Sequence, residues 1–267
     1  MDSLMEWSFL SYAILGGLLT SITCGIIGTY VVLRRITYLA GSISHTAFGG
    51  VGLSLLLGWP PLLGASLFSV LAATGMGWIR LKLGRGKDDV LIGAMWSLGM
   101  AIGVICIFLS PGYATNVMSY LFGNILLISS TDLIIMTVLN GLIIGCVTIY
   151  YRSLQTICAD EEFAKILNLP VNRLNFLLLG LIALSIVIII KSVGILLVIT
   201  LLTLPAASAR LWTTQMKNMM IHASLFASIA TLLGLGLSYW ANLPSGPFIV
   251  FVSLFIYIVT LGIKRPW

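Results

Sequence analysis

Long apolar runs separated by short polar segments dominate the sequence. A helix needs roughly 20 apolar residues to cross a bilayer, and nine runs come close to that length. They cover approximately residues 9–32, 37–58, 62–79, 90–110, 131–150, 174–190, 193–208, 219–240 and 247–263. The sixth and seventh runs meet at the short segment Lys191 to Gly194. The pattern predicts an all-α, polytopic membrane protein with nine transmembrane helices, or eight if the 174–208 region does not hold two full spans.

The composition supports a membrane protein without a soluble domain. Hydrophobic residues make up 59% of the chain and charged residues 8%, whereas soluble domains carry about 25% charged residues. No Gly/Ser-rich linker interrupts the apolar runs, so residues 1–267 are predicted to form one membrane domain. The net charge of +6 does not indicate nucleic-acid binding, because the basic residues fall in short clusters between apolar runs.

The positions of lysine and arginine predict the orientation, since cytoplasmic loops are enriched in both. With the N-terminus outside and the C-terminus inside, Lys191 is the only one of the 14 basic residues on the outer side. The acidic residues Asp2, Glu6 and Asp132 also fall on that side. This topology places the polar segment at residues 150–175 in the cytoplasm.

The sequence lacks several motifs with which a membrane protein could hydrolyse ATP, act as an enzyme or drive transport by itself. It contains no G-x-x-x-x-G-K-[ST] phosphate loop, so the chain is not expected to hydrolyse ATP. It has neither an H-E-x-x-H motif nor paired intramembrane carboxylates, which argues against a membrane-embedded enzyme and against a self-powered carrier. The four cysteines form no C-x-x-C pair and are read as small hydrophobic residues. Either an external energy source drives transport, or transport is not the function.

The second run contains an unusual polar stretch, "AGSISHTAFGG", at residues 40–50. On a helix one face of this run would carry Gly41, His45, Gly49 and Gly52. Such a face permits close helix packing or lines a polar path, and a neutral imidazole there is a good ligand for zinc, manganese or iron(II). The alternative is a histidine that only packs against a neighbouring helix. The other histidine, His222, is predicted to lie at the membrane interface.

The longest hydrophilic stretch also contains a predicted short helix. Asp160, Glu161 and Glu162 stand at its start, where acidic side chains favour the helix dipole. An apolar stripe follows, formed by Phe163, Ile166 and Leu167. The stripe indicates either a docking element for a soluble partner or an ordinary interfacial helix.

Five segments together resemble a known family. They are "VVLRRITYLAGSISHTAFGGVGLSLLLG" (31–58), "SYLFGNIL" (119–126), "DEEFAKILNLPVNRLN" (160–175), "VGILLVITLLTLPAASARL" (193–211) and "LGLSYWANLPSGPFIV" (235–250). In their order and spacing they resemble the permease subunits of zinc-, manganese- and iron-type metal ABC importers, the ABC-3 family. The first and third of them hold the polar stretch and the predicted short helix.

This resemblance implies an all-helical permease domain that pairs with a second copy of itself around a central path. Cytoplasmic ABC ATPase subunits would use ATP to drive it, and an extracytoplasmic metal-binding protein would deliver the ion. Residues 152–173 would form the cytoplasmic coupling segment. Pro205 removes a backbone donor and is expected to kink or loosen the seventh span beside the path.

The sequence departs from the family pattern near His45. Many relatives have an aspartate at the position of Gly41, and many have Pro-Gly in place of Gly49-Gly50. Without that carboxylate, His45 is expected to act as a transient ligand, with Ser42 and Ser44 as weaker candidates. In the coupling segment Asn168 replaces a frequent glycine and tolerates the left-handed conformation.

The expected function is therefore import of a divalent metal ion across a prokaryotic plasma membrane, by a multi-pass subunit with no permanently bound cofactor. The nearest alternative is a permease for a metal chelate such as a siderophore, haem or cobalamin. A self-powered secondary carrier is the alternative from a different class.

Overall fold

The computed structural model describes residues 2–83, 89–110, 121–123 and 125–264. Throughout these ranges the chain is helical with short turns and has no β-strand. The α-helices are α1 (Asp2–Leu33), α2 (Thr37–Leu57), α3 (Pro61–Leu83), α4 (Asp89–Leu109), α5 (Ser130–Ile149), α6 (Tyr151–Ala159), α7 (Glu161–Ile166), α8 (Val171–Val193), α9 (Val198–Trp212), α10 (Met216–Ala241) and α11 (Ser245–Ile263). In this part of the chain nine segments are long and apolar enough to cross a membrane. The predicted all-α class and the nine spans are confirmed.

Among the spans that are longer than the apolar pattern predicts, the sixth and the third show how charged and amide side chains extend a helix at one end. The sixth span begins at Val171 rather than near 174, since Asn172 and Arg173 occupy the first turn of α8. The third span continues past residue 79 because the last turn of α3 carries Arg80 and Lys82. Cations suit the C-terminal end of a helix, and Nζ of Lys82 also lies 4.0 Å from the centre of the Trp78 ring.

The seventh span combines two kinds of helix. After α8 the chain turns at Gly194, passes through the 3₁₀ turn Ile195–Leu197 and continues as α9. Together the turn and α9 form an 18-residue segment, Ile195–Trp212, that meets the length needed for a span. Of the segment 119–126, residues 119, 120 and 124 lie outside the described residues.

The described residues group into two compact units. The first contains residues from 1–32, 118–144 and 188–267, and the second contains residues from 33–117 and 145–187. In the first unit three hydroxyl side chains of α1 bond to three other helices. Thr20 pairs with Ser192 at 2.5 Å, Ser21 with Thr231 at 3.1 Å, and Thr23 donates to Oδ1 of Asn140 at 2.7 Å. Such bonds satisfy polar groups that lipid cannot.

In the second unit α2 packs between α3 and α4. About 78% of the α2 span is buried, compared with 22% of the α5 and α11 spans. Its glycine, serine and threonine content follows from that position, because small residues let helix backbones approach closely. Gly50 shows this closeness, since a Cβ at that residue would lie 2.0 Å from the carbonyl oxygen of Gly64 on α3.

Candidate functional site

His45 lies on α2 and is buried against α4. Its ring stacks on the indole of Trp96, with the ring centres 4.2 Å apart and the planes inclined by 18°. Its Nδ1 atom lies 3.2 Å from Sδ of Met100. Two side chains of α4 thus hold the orientation of the imidazole.

Taken as a hydrogen bond, the contact with Met100 assigns the ring hydrogen of His45 to one nitrogen. A thioether sulfur accepts hydrogen bonds and cannot donate them. In neutral imidazole the hydrogen therefore belongs on Nδ1, where it is donated to sulfur, and Nε2 keeps its lone pair. A lone pair on Nε2 is the electronic state that a histidine needs in order to bind a metal ion.

The glycines on the His45 face of α2 bring its backbone against that of α4. A Cβ at Gly49 would lie 2.8 Å from the carbonyl oxygen of Gly99, and a Cβ at Gly52 would lie 2.5 Å from that of Gly103. Gly41 is buried on α2 as well. The face of α2 that carries His45 is therefore closely packed against the backbone of α4.

The two serine candidates are both buried on α2. Oγ of Ser42 donates a 3.0 Å hydrogen bond to the carbonyl oxygen of Ile92 at the start of α4. Its own carbonyl accepts from Oγ1 of Thr46 at 2.8 Å. Ser42 thus joins α2 to α4 about one turn from His45, while Ser44 is completely buried.

Trp96 and Met100 are the site residues that sequence reasoning missed. Together with Gly99 and Gly103 they follow i, i+3, i+4, i+7 spacing in the fourth apolar run. That spacing marks one helix face, and Gly99 and Gly103 form a small-x-x-x-small pattern that favours close packing. The signal is weak because nearly every other position of the run is also apolar.

The remaining candidates, His222 and Pro205, belong to the first unit. Nδ1 of His222 lies 2.7 Å from the carbonyl oxygen of Asn218 on its own helix, α10. Pro205 is buried inside α9. Among the residues that the structure describes, no three His, Cys, Asp or Glu side chains come together as a metal-binding group.

The predicted coupling segment, residues 152–173, contains two short helices, α6 and α7. The side chain of Asp160 caps α7 by accepting from the backbone N–H groups of Glu162 at 2.8 Å and Phe163 at 3.1 Å. An aspartate cap of this kind satisfies donors that a helix start leaves unpaired. The apolar side chains of the segment, Phe163, Ile166 and Leu167, are exposed, with Ile166 75% accessible.

A tight turn joins α7 to α8. Asn168 has φ of 55°, in the left-handed region that asparagine tolerates. The backbone N–H of Leu169 then donates to the carbonyl of Ala164 at 3.1 Å, and Pro170 directly precedes α8. α7 and α8 are therefore separated by only four residues, and the backbone N–H groups of the first three donate to carbonyls of α7.

Comparison with known proteins identifies the family. The profile of the ABC 3 transport family matches residues 6–264. An uncharacterized membrane protein of Synechocystis sp. is 39% identical over 265 residues, which cover 99% of this chain and 94% of that protein. The manganese transport system membrane protein MntC of Listeria monocytogenes is 32% identical over 259 residues, covering 97% and 92% of the two chains.

A solved structure agrees with this assignment. The structure of PsaBC from Streptococcus pneumoniae in complex with Fab matches with a TM-score of 0.88 and 31% sequence identity. The match covers 99% of this chain and 95% of the other. Profile, relatives and fold all extend over nearly the whole length, and the chain belongs to the ABC 3 transport family.

Proposed function

We propose that this chain is the membrane permease subunit of an ABC importer for a divalent metal ion. Mn²⁺ is the first ion to test, and zinc and iron(II) are the alternatives. The observation that carries the proposal is the buried imidazole of His45, whose Nδ1 is engaged by Met100 and whose Nε2 therefore has a lone pair. A relative with 32% identity is named a manganese transport protein.

The surroundings of His45 favour passage of an ion over storage. Gly41 stands one helical turn before His45 and supplies no carboxylate. Imidazole binds Mn²⁺, Fe²⁺ and Zn²⁺, with affinity rising along that order. One nitrogen ligand, with the hydroxyl oxygens of Ser42 and Ser44 as weaker ones, would hold an ion briefly while it exchanges its water ligands.

The exposed apolar side chains of α7 support a docking role for the coupling segment. Phe163, Ile166 and Leu167 are all more than half exposed, and the short helix that carries them is capped and anchored at both ends. Apolar side chains presented by a rigid helix are typical anchors for a groove in a partner protein. The proposed partner is a cytoplasmic ATPase that supplies the energy of ATP hydrolysis.

The complete importer would contain more than this chain. We propose that residues 1–267 act as one permease domain and pair with a second copy, with the N-terminus outside and the C-terminus inside. ATPase subunits bind at α7 within the coupling segment, residues 152–173, and an extracytoplasmic metal-binding protein delivers the ion. The charge distribution supports this orientation, because Lys191 is the one basic residue on the proposed outer side.

Reconstitution in liposomes tests the function. The chain, its ATPase and its binding protein should accumulate Mn²⁺ inside the liposomes only when ATP is supplied. Uptake that persists without the ATPase, or that collapses with ionophores while ATP is held constant, would contradict the proposal. Competition with excess iron–siderophore, haem or cobalamin tests the chelate alternative, which predicts that the chelate displaces the free ion.

The docking role has its own test in copurification. Ile166→Asp places a charge in the apolar face of α7 and should reduce recovery of the bound ATPase at least ten-fold. Gln155→Asp introduces the same side chain at an exposed position of the adjacent helix α6 and should leave recovery unchanged. Equal recovery with both variants would show that α7 is an ordinary interfacial helix.

A further inference from the structure

Three polar side chains in the second unit form a closed ring of hydrogen bonds. Nη1 of Arg34 donates to Oδ1 of Asn175 at 2.8 Å, and Nδ2 of Asn175 donates to Oε1 of Glu161 at 2.7 Å. Nη2 of Arg34 donates to Oε2 of Glu161 at 3.4 Å and completes the ring. Each of the three residues therefore holds the other two, and we call them the Arg34 cluster.

The Arg34 cluster is largely removed from solvent. The side chain of Arg34 is 4% accessible and that of Glu161 is 17% accessible. Removing the carboxylate from a buried guanidinium is strongly unfavourable, because the buried positive charge loses its opposite charge. The three side chains should consequently stay together when the helices that carry them move.

The members of the Arg34 cluster come from three different parts of the unit. Arg34 lies in the short connection before α2, Glu161 is the first residue of α7, and Asn175 lies near the start of α8. The other end of α7 is joined to α8 by the turn at Asn168. Thus the C-terminal end of α7 is joined to α8 by the turn, and its N-terminal end is bonded to the connection that leads into α2.

A cavity of about 380 Å³ lies beside the cluster, lined in part by Arg34, Glu161, Asn175, Gly77 and Phe176. On the side of this cavity the cluster is not enclosed by close-packed side chains. This cavity leaves room for α7 and the cluster to move together, because close-packed core would resist such a movement.

We propose that the Arg34 cluster is the link that transmits movement of α7 to α2, the helix that carries His45. This inference rests on the proposed function, in which a partner ATPase pushes on α7. Arg34, Glu161 and Asn175 are positioning residues in this scheme, since they contact neither the ion nor ATP. Glu161 binds Arg34 and Asn175 within the unit. Phe163, Ile166 and Leu167 would contact the partner ATPase.

The number of Mn²⁺ ions imported per ATP hydrolysed measures this link directly. In the reconstituted assembly Arg34→Gln should leave ATPase binding and hydrolysis in place and lower that ratio at least ten-fold. The matched control is Arg35→Gln, which removes the same charge from the adjacent exposed residue and should keep the wild-type ratio. A wild-type ratio in Arg34→Gln, or loss of ATPase binding together with uptake, would overturn the proposal.

A second measurement needs only the purified chain and so separates this inference from the proposed function. Glu161→Gln should raise amide hydrogen exchange in the first turn of α2, at Leu39 and Ala40, at least ten-fold. Unchanged exchange there, with faster exchange confined to α7, would refute the link. Faster exchange at α2 in Glu161→Gln, together with a wild-type assembly that imports no Mn²⁺ with ATP, would retain the link and refute the proposed function.

Discussion

Sδ of Met100 lies 3.2 Å from Nδ1 of His45, and each residue belongs to a different helix of the second unit. The thioether can only accept a hydrogen bond, so the contact holds the ring hydrogen on Nδ1. Trp96 stacks on the same ring and restricts its rotation. The chemistry of the one buried imidazole on α2 therefore depends on two side chains of α4.

Replacing Met100 by leucine removes the acceptor while keeping nearly the same volume. Met100→Leu should lower ATP-driven Mn²⁺ uptake about ten-fold, the range seen when residues that orient a metal-binding histidine are changed. Met95→Leu on the same helix is the control and should transport like the wild type. Equal uptake in both variants would show that Met100 only fills space beside the ring.

The close approach of α2 and α4 predicts a loss of stability for Gly99→Ala. The added Cβ would lie 2.4 Å from Cα of Thr46, so the helices must separate, at about 1–3 kcal/mol. Gly93→Ala on the same helix meets nothing within 4 Å and should gain helix propensity instead. Thermal unfolding in detergent measures both variants, and a Gly99→Ala chain as stable as Gly93→Ala would contradict this packing.

Gly194 is expected to tolerate no side chain. Its φ of 84° and ψ of 165° lie in a region that is essentially restricted to glycine, with strain of about 1–3 kcal/mol for other residues. A Cβ there would also lie 2.2 Å from the backbone nitrogen of Gly123. Gly194→Ala should reduce the monodisperse fraction on size-exclusion chromatography far more than Gly236→Ala, which meets nothing within 4 Å. Similar elution of the two variants would contradict the tight turn at Gly194 between α8 and the 3₁₀ turn.

Lys191 is paired with Asp132, with Nζ and Oδ1 3.0 Å apart. Because both side chains are largely buried, either charge alone is unfavourable once its partner is removed. Asp132→Asn and Lys191→Gln should each lower the free energy of unfolding. The loss in the double variant should be smaller than the sum of the two single losses, by about 0.5–3 kcal/mol. Strict additivity in thermal unfolding would indicate that the pair contributes no coupling.

The spans were predictable because a bilayer imposes one length on every crossing helix, and the apolar runs show that length directly. Polar residues at helix ends were less informative. Asn172 and Arg173 look like loop residues, yet they form the first turn of α8 because helix ends at a membrane surface accept polar side chains. The pattern also anticipated Asp160, Glu161 and Glu162 at the start of a short helix, where the structure has the Asp160 cap.

Contacts between distant positions were beyond the sequence. Arg34 and Glu161 are 127 residues apart, and neither position alone indicates a buried ion pair. Lys191 is an exception to the charge bias in the sequence, and its partner Asp132 became evident only in the fold. Trp96 and Met100 were hidden because helical periodicity carries little information in a run that is apolar on all sides.

The rate of ATP-driven Mn²⁺ uptake by the His45→Ala assembly tests the central claim most directly. His222→Ala is the matched control, since His222 bonds to its own helix at Asn218. We predict that His45→Ala assembles with its ATPase and loses at least nine-tenths of the uptake rate, whereas His222→Ala keeps it. Wild-type uptake by His45→Ala would contradict the account and leave His45 as a residue that only packs α2 against α4.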